Sequence, residues 1–254
     1  MFGEAPLADA LVGELLLDAW GIAVERIAYE TVGYGSYHWR ASGAEGREYF
    51  VTADPAGGVA EAAYLVARRL ADGGLGFVRA PYRCRGGGVV RKTEGWLLSV
   101  WPWHDGRTGS FSQERTPADL AATVECLRRL HSVRSIAPVE GLVESWTITG
   151  RTELLELVES DDWGSGPYVD ELRGRLAVYA ARVREMFASY DQLVANVGHV
   201  EFVITHGEPH PGNVIHTTVG PMLIDWDTVR WAPRERDLWA LPSGWRDTYG
   251  DGLI

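Results

Sequence analysis

"THGEPHPGNVIHTTVGPMLIDWD", residues 205–227, sets His206, Glu208, His210 and Asn213 within eight residues, directly after the apolar run Phe202, Val203 and Ile204. A second apolar run, Met222, Leu223 and Ile224, ends on Asp225 and Asp227. Short apolar runs read as strands, and so many polar side chains at their ends exceed what a structural segment needs, so the stretch reads as a site. Asn213 and Asp225 offer oxygen atoms suited to a hard cation such as magnesium, which takes one or two carboxylates and leaves its other positions to water and phosphate. His206 and His210 are four apart, but Pro209 and Pro211 prevent the helix that would put both on one zinc-binding face. Glu208 is then free to reach a substrate hydroxyl while Asn213 holds the metal, the division of labour that phosphoryl transfer needs. Asp227 either ligates a second metal or caps the turn at Thr228. His206 is expected to steady the loop backbone, and His210 either lines an acceptor site or faces water.

Working outward, the 254 residues suffice for one large domain or two lobes with a sizeable core. Hydrophobic residues make up 46% and charged residues 23%, the mix of a globular protein. A formal net charge of −11 excludes a nucleic-acid partner, whose phosphates need a basic surface, and suits a cationic small molecule. No apolar run approaches the roughly 18 residues of a membrane span. The first residues carry acids where a signal peptide would carry bases, so a cytoplasmic location is expected. Cys84 and Cys126 stand in unrelated contexts and form neither a zinc spacing nor a disulfide framework. Nothing in the pattern sets the oligomeric state.

The periodicity changes once along the chain. Residues 25–31, 36–41, 48–53, 88–92 and 96–101 read as short strands bounded by Gly, Asp or Pro. A helix over 59–71 puts Ala62, Leu65, Val66 and Leu70 on one face. After a connecting segment near 101–110, helical spacing dominates 117–133, 152–159, 168–197 and 234–241. The order is a small antiparallel sheet with one helix, then a mostly helical part that contains the opening stretch. Trp20, Trp39, Trp96 and Trp146 are expected to fill core space. Asp161, Asp162 and Trp163 fall in an interhelical loop that either holds a polyamine or aminocyclitol or is simply a solvated acidic loop.

His206-Gly-Glu-Pro-His-Pro-Gly-Asn213, followed by Ile224-Asp-Trp-Asp227, resembles the catalytic and metal-binding segments of the aminoglycoside phosphotransferase family. The resemblance implies an α+β, two-lobed protein-kinase-like fold, with residues 1–102 as a small antiparallel-sheet nucleotide-binding lobe and residues 103–254 as a mostly helical lobe. It implies ATP or GTP as phosphate donor, magnesium as the metal, and a cationic, hydroxylated small-molecule acceptor, plausibly an aminoglycoside-like antibiotic. Asn213, Asp225 and Asp227 take the metal positions, Glu208 the catalytic one, and Asp237 braces the catalytic loop together with His206. His210, Asp161, Asp162 and Trp163 become acceptor-binding candidates. Gly33, Gly35 and Ser36 in "VGYGSYHWRAS" match the hairpin over the nucleotide phosphates, Glu61 the helix glutamate, and Val100 to Trp103 the hinge, where Trp101 or Trp103 could stack on a base. Two positions depart from the family pattern. Glu208 stands where an aspartate is usual, and Thr52 stands at the phosphate-binding lysine. Arg40, Arg47 or the sole lysine, Lys92, replaces that charge, or the chain handles nucleotide poorly. The alternatives are therefore a degenerate kinase that binds without catalysis, and a metabolic kinase acting on choline, a sugar or an amino-alcohol.

Overall fold

The computed structural model describes residues 5–33, 35–57, 60–110, 115–160 and 162–250. Strands β1 (Val24–Glu30), β2 (Tyr37–Gly43), β3 (Glu48–Pro55), β4 (Val90–Thr93) and β5 (Trp96–Pro102) form one antiparallel sheet, ordered β1-β2-β3-β5-β4. Successive strand residues point to opposite faces, and this sheet uses both. Trp39, Ala41, Val51, Ala53, Leu98 and Val100 form one buried layer with Val12 and Leu16 of α1 (Asp9–Trp20). Trp39 is fully buried, and its indole N–H donates to Asp9 Oδ1 at 2.9 Å, which ties α1 to the sheet. On the other face the register sets His38 beside Thr52, Thr52 beside Ser99 and Phe50 beside Trp101. Helix α2 (Ala60–Asp72) lies in sequence between β3 and β4, one residue off the sequence expectation at each end.

By its contacts the chain gathers into two units, Met1–Val143 with Phe202–Leu253, and Glu144–Glu201. The expected lobe boundary after residue 102 falls inside the first unit, where β5 leads toward α3 (Pro117–His131). Thr116 caps α3, its side-chain oxygen accepting the backbone N–H of Asp119 at 3.1 Å, with Pro117 in the first turn. Thr116→Ala should therefore lower unfolding stability by about 1 kcal/mol without changing ligand binding, read as a shifted urea midpoint at constant slope. Leu120, Val124, Leu127 and Leu130 turn one face of α3 into a core shared with Val66 and Leu70 of α2 and with Ile204, Leu223, Trp226 and Trp231. Hairpin β7 (Val214–Thr217) and β8 (Gly220–Leu223) and the pair β6 (Val203–Thr205) and β9 (Arg230–Ala232) complete this unit's strands.

The second unit consists of α4 (Arg151–Glu159) and α5 (Val169–Asn196), clamped by Arg151, whose guanidinium bonds both oxygens of Asp191 at 2.6 and 2.7 Å. The helix expected over 234–241 is instead a 3-10 helix, Arg234–Ala240, and a short helix, α6 (Trp245–Tyr249), follows it. Pro242 ends the first of these segments, because a proline disfavours helical geometry in the residue before it. Among the described residues no helix is long and apolar enough to cross a membrane.

Candidate active site

The loop after β6 is built around a buried carboxylate. Asp237 is fully buried and accepts the backbone N–H groups of His206, at 2.8 Å, and Gly207, with His131 Nε2 at 2.9 Å on the same carboxylate. These bonds, with the ring of His131, hold the carboxyl below its ordinary range against the opposing effect of burial. His131 Nδ1 meets the hydroxyl of Tyr249, so α3, the 3-10 segment and α6 converge on one network. Gly207 has φ 98° and lies against the Arg236 guanidinium, where a Cβ would collide, so glycine is required there. His206, also fully buried, bonds Ile224 O through Nε2 at 2.8 Å and receives the Glu208 N–H on Nδ1 at 3.3 Å. Those partners select the neutral Nε2–H tautomer, and burial lowers its proton affinity in agreement. One imidazole thus links the loop after β6 to the segment that follows β8.

Asn213 ends a 3-10 turn, Pro211–Asn213, and its side-chain N–H donates to Glu208 O at 3.0 Å, while its own carbonyl receives the Ile224 N–H at 3.0 Å. Asn213 also lines the cavity. Asp225 has φ 66°, a left-handed conformation that aspartate tolerates better than most residues and that is often found at functional positions. Burial, then Asp227, then Glu208 raise the Asp225 carboxyl to about 7. Burial and the charges of Asp54 and Glu208 raise Asp227 as well, and Asp227 also receives the Thr228 backbone N–H. Asp227 therefore makes the local turn bond and faces the cavity.

A cavity of about 580 Å³ opens here, lined by Gly33, Ser36, Thr52, Trp101, Asn213, Asp225 and Asp227. Of the residues singled out in the sequence, these converge. Ser36 Oγ donates to Asp54 Oδ1 at 2.5 Å and Tyr64 donates to Asp54 Oδ2 at 2.8 Å, which pins the glycine turn to β3 and α2. Gly33 has φ 76° and its Cβ position is 3.0 Å from His38 Nε2, so that turn too favours glycine. Two crowded, protonation-prone carboxylates and an amide oxygen fit a hard divalent cation, which would relieve their repulsion. Among the described residues no three His, Cys, Asp or Glu side chains gather as a metal cluster.

Other expected residues stand elsewhere. Glu61 pairs with Lys92 at 2.7 Å, but both side chains are exposed, at 41% and 70%, and neither lines the cavity. From α2 it is Tyr64, buried and one turn further along than the first-turn Glu61, that lines the cavity. Arg40 is paired with Glu48 at 2.6 Å and lies over the Trp103 ring at 4.2 Å, and Arg47 does not line the cavity. Val100 points to the α1 side, and its carbonyl already accepts the Tyr82 N–H at 2.7 Å. Gly35 is in the hairpin with φ 81° but does not line the cavity. Glu208 is exposed next to Asn213, with His210 Nε2 at 4.0 Å from its carboxylate. Asp162 and Trp163 belong to the second unit, where Asp162 accepts the Gly164 N–H and Trp163 donates to Ser160 O. Asp161 lies outside the described residues. Sequence reading missed Tyr64, Asp54, His38 and Arg79. Only Arg79, a charge inside the apolar run "LGFVRAP", carried a local signal.

An antiparallel sheet with one helix, followed by a helical part that carries the catalytic and metal loops, is the two-lobed arrangement of the protein-kinase-like small-molecule kinases. A model described as the phosphotransferase enzyme family matches residues 31–254, and the chain belongs to that family. Protein StrN of Streptomyces griseus is 29% identical over 188 residues, covering 70% of this chain; the chain spans 58% of that relative's length. A spectinomycin phosphotransferase solved with ADP and spectinomycin superposes with a TM-score of 0.77 at 18% identity, covering 98% of this chain and 82% of the other. An amicoumacin kinase solved with AMP-PNP, calcium and its acceptor gives 0.65 at 16% identity, covering 92% and 68%.

Proposed function

We propose that this chain is an O-phosphotransferase that moves the terminal phosphoryl group of a purine nucleoside triphosphate onto a hydroxyl of a small, cationic, hydroxylated acceptor of the aminoglycoside or aminocyclitol type. The observation that carries this reading is the convergence of the glycine turn, Asn213, Asp225 and Asp227 on one cavity, with Glu208 braced beside them through His206 and Asp237. The relatives solved with spectinomycin and amicoumacin support the acceptor class. Asn213, Asp225 and Asp227 would hold magnesium, which when bound neutralises charge on the phosphates. Glu208 orients the acceptor hydroxyl and takes its proton; its longer side chain and exposure give it reach from the loop. Asp162 and Trp163 are proposed to contribute to acceptor binding, and His210 to flank Glu208. The lobe division at residues 102/103 is part of the same proposal.

Glu208→Gln keeps the size and removes the base. Turnover should fall by about a hundredfold while magnesium-dependent nucleotide affinity stays within about twofold. Nucleotide-diphosphate release over a panel of aminoglycosides, aminocyclitols, choline, ethanolamine and sugars tests the reading. Absence of turnover with every acceptor, with ATP and with GTP, would sink it. It would favour a degenerate kinase, a reading with its own support: Thr52 replaces the lysine, and Asp54, Asp225 and Asp227 crowd the phosphate end with negative charge.

A further inference from the structure

Among the described residues lining the cavity, Arg79 is the only arginine or lysine. It sits between α2 and β4, is 8% exposed, and its backbone N–H is held by Leu223 O at 3.0 Å. Its Nε donates to Pro102 O at 2.9 Å, and its guanidinium carbon lies 4.8 Å from the centre of the Phe50 ring. Among the described residues no carboxylate pairs with it. A guanidinium brought out of water without an anion or a full set of acceptors is strongly disfavoured unless a ligand completes it. Burial lowers its proton affinity to about 10, so it stays charged at neutral pH.

The cavity lining therefore carries charge of both signs, Asp225 and Asp227 on one hand and Arg79 on the other. Phe50 lies under the Arg79 guanidinium and stacks on His38, with ring centres 4.8 Å apart, and His38 in turn reaches the Gly33 turn. Burial, and then the charge of Arg79, lower the proton affinity of His38 and His104. His104 lines the same cavity, and its Nε2 is out of solvent with no hydrogen-bond partner among the described residues. The strand that would read the base has little left to offer. Pro102 has no N–H and its carbonyl is taken by Arg79, the Val100 carbonyl is taken by Tyr82, and the Trp103 N–H donates to Glu48 O at 3.3 Å. The 6-amino group of adenine needs an acceptor, whereas guanine presents O6 and N7, both acceptors. Arginine is donor-only, and its fork fits that O6/N7 pair.

We propose that Arg79 selects the purine of the phosphate donor, its free Nη atoms meeting O6 and N7 of guanine, so that GTP is preferred to ATP. This rests on the reading of the cleft as a nucleotide site and goes beyond it by naming the base and the residue that chooses it.

Calorimetric titration of the full chain with magnesium and GTP, ATP, ITP or 7-deaza-GTP tests both levels. GTP is expected to bind at least about tenfold more tightly than ATP. ITP, which keeps O6 and N7, should stay close to GTP, and 7-deaza-GTP, which lacks N7, should weaken. Arg79→Gln replaces the donor-only fork by an amide that can pair with adenine N6 and N7, and should abolish or reverse the preference. Equal or tighter binding of ATP by the wild-type chain overturns the proposal and leaves the nucleotide site standing. Unchanged affinity for 7-deaza-GTP does the same without depending on the variant's folding. Binding that appears only in Arg79→Ala would mean that the side chain occupies the base position itself, and would also overturn it. No binding of any nucleotide by either chain removes the underlying reading together with the proposal.

Discussion

Asp225→Asn should abolish magnesium-dependent nucleotide binding and lower turnover by on the order of a thousandfold, with the fold intact. Asparagine keeps the size of the side chain and tolerates the left-handed backbone at φ 66°, but it cannot supply the charge a divalent cation needs. The same variant has a thermal signature of opposite sign. In the metal-free chain burial and Asp227 raise Asp225 from 3.8 to about 7. Between those values the folded state keeps a proton that the unfolded state gives up. Stability from this group is thus fully present below the unfolded value and is lost as pH rises through the folded one. The asparagine variant cannot ionise and escapes that loss. Without metal it should melt above wild type by less near pH 5, where the loss has only begun, than near pH 8, where it is complete; with magnesium at pH 8 only the wild type should gain. Scanning calorimetry at the two pH values separates these outcomes. Turnover near the wild-type level would sink the metal assignment.

Asp237→Ala should be the most damaging single change to stability, lowering it by about 3–5 kcal/mol and disordering the loop that presents Glu208. The side chain is fully buried and supplies acceptors to His206 and Gly207 and a partner to His131; alanine leaves buried donors without acceptors. Because the folded carboxyl is held below its ordinary value, its contribution is present above the unfolded value and lost as pH falls through the folded one. The gap between wild type and variant in urea unfolding should therefore be full at pH 7 and narrow on acidification below the ordinary carboxylate range. A variant midpoint equal to wild type at pH 7 would show that the network does not brace the loop.

The strands and the long helices were legible because period-two and period-3.6 patterns are local. Helix α3 starts at the expected residue 117 and ends two residues short of 133, and β3 and β5 lie within two residues of their expected ends. The segment after Pro233 differs because over seven residues a side-chain pattern satisfies a 3-10 helix as well as an α-helix. The site was legible where chemistry and spacing share one stretch, as in His206, Glu208, Asn213 and Asp225. It was illegible where the site depends on which part of an element packs against the cavity. Glu61 and Tyr64 are one turn apart on the same side of α2, yet only Tyr64 lines the cavity.

The residues from Thr205 to Asp227, by their order and types alone, determined the family and the metal and catalytic candidates, because a loop that serves a phosphate and a cation must carry its donors at close sequence spacing. The tertiary structure decided the rest. Asp237 meets partners 31 and 106 residues away, and Arg79, not Lys92 or Arg40, is the cation delivered to the cleft. Such meetings are set by packing between distant elements, which no local pattern of side chains encodes.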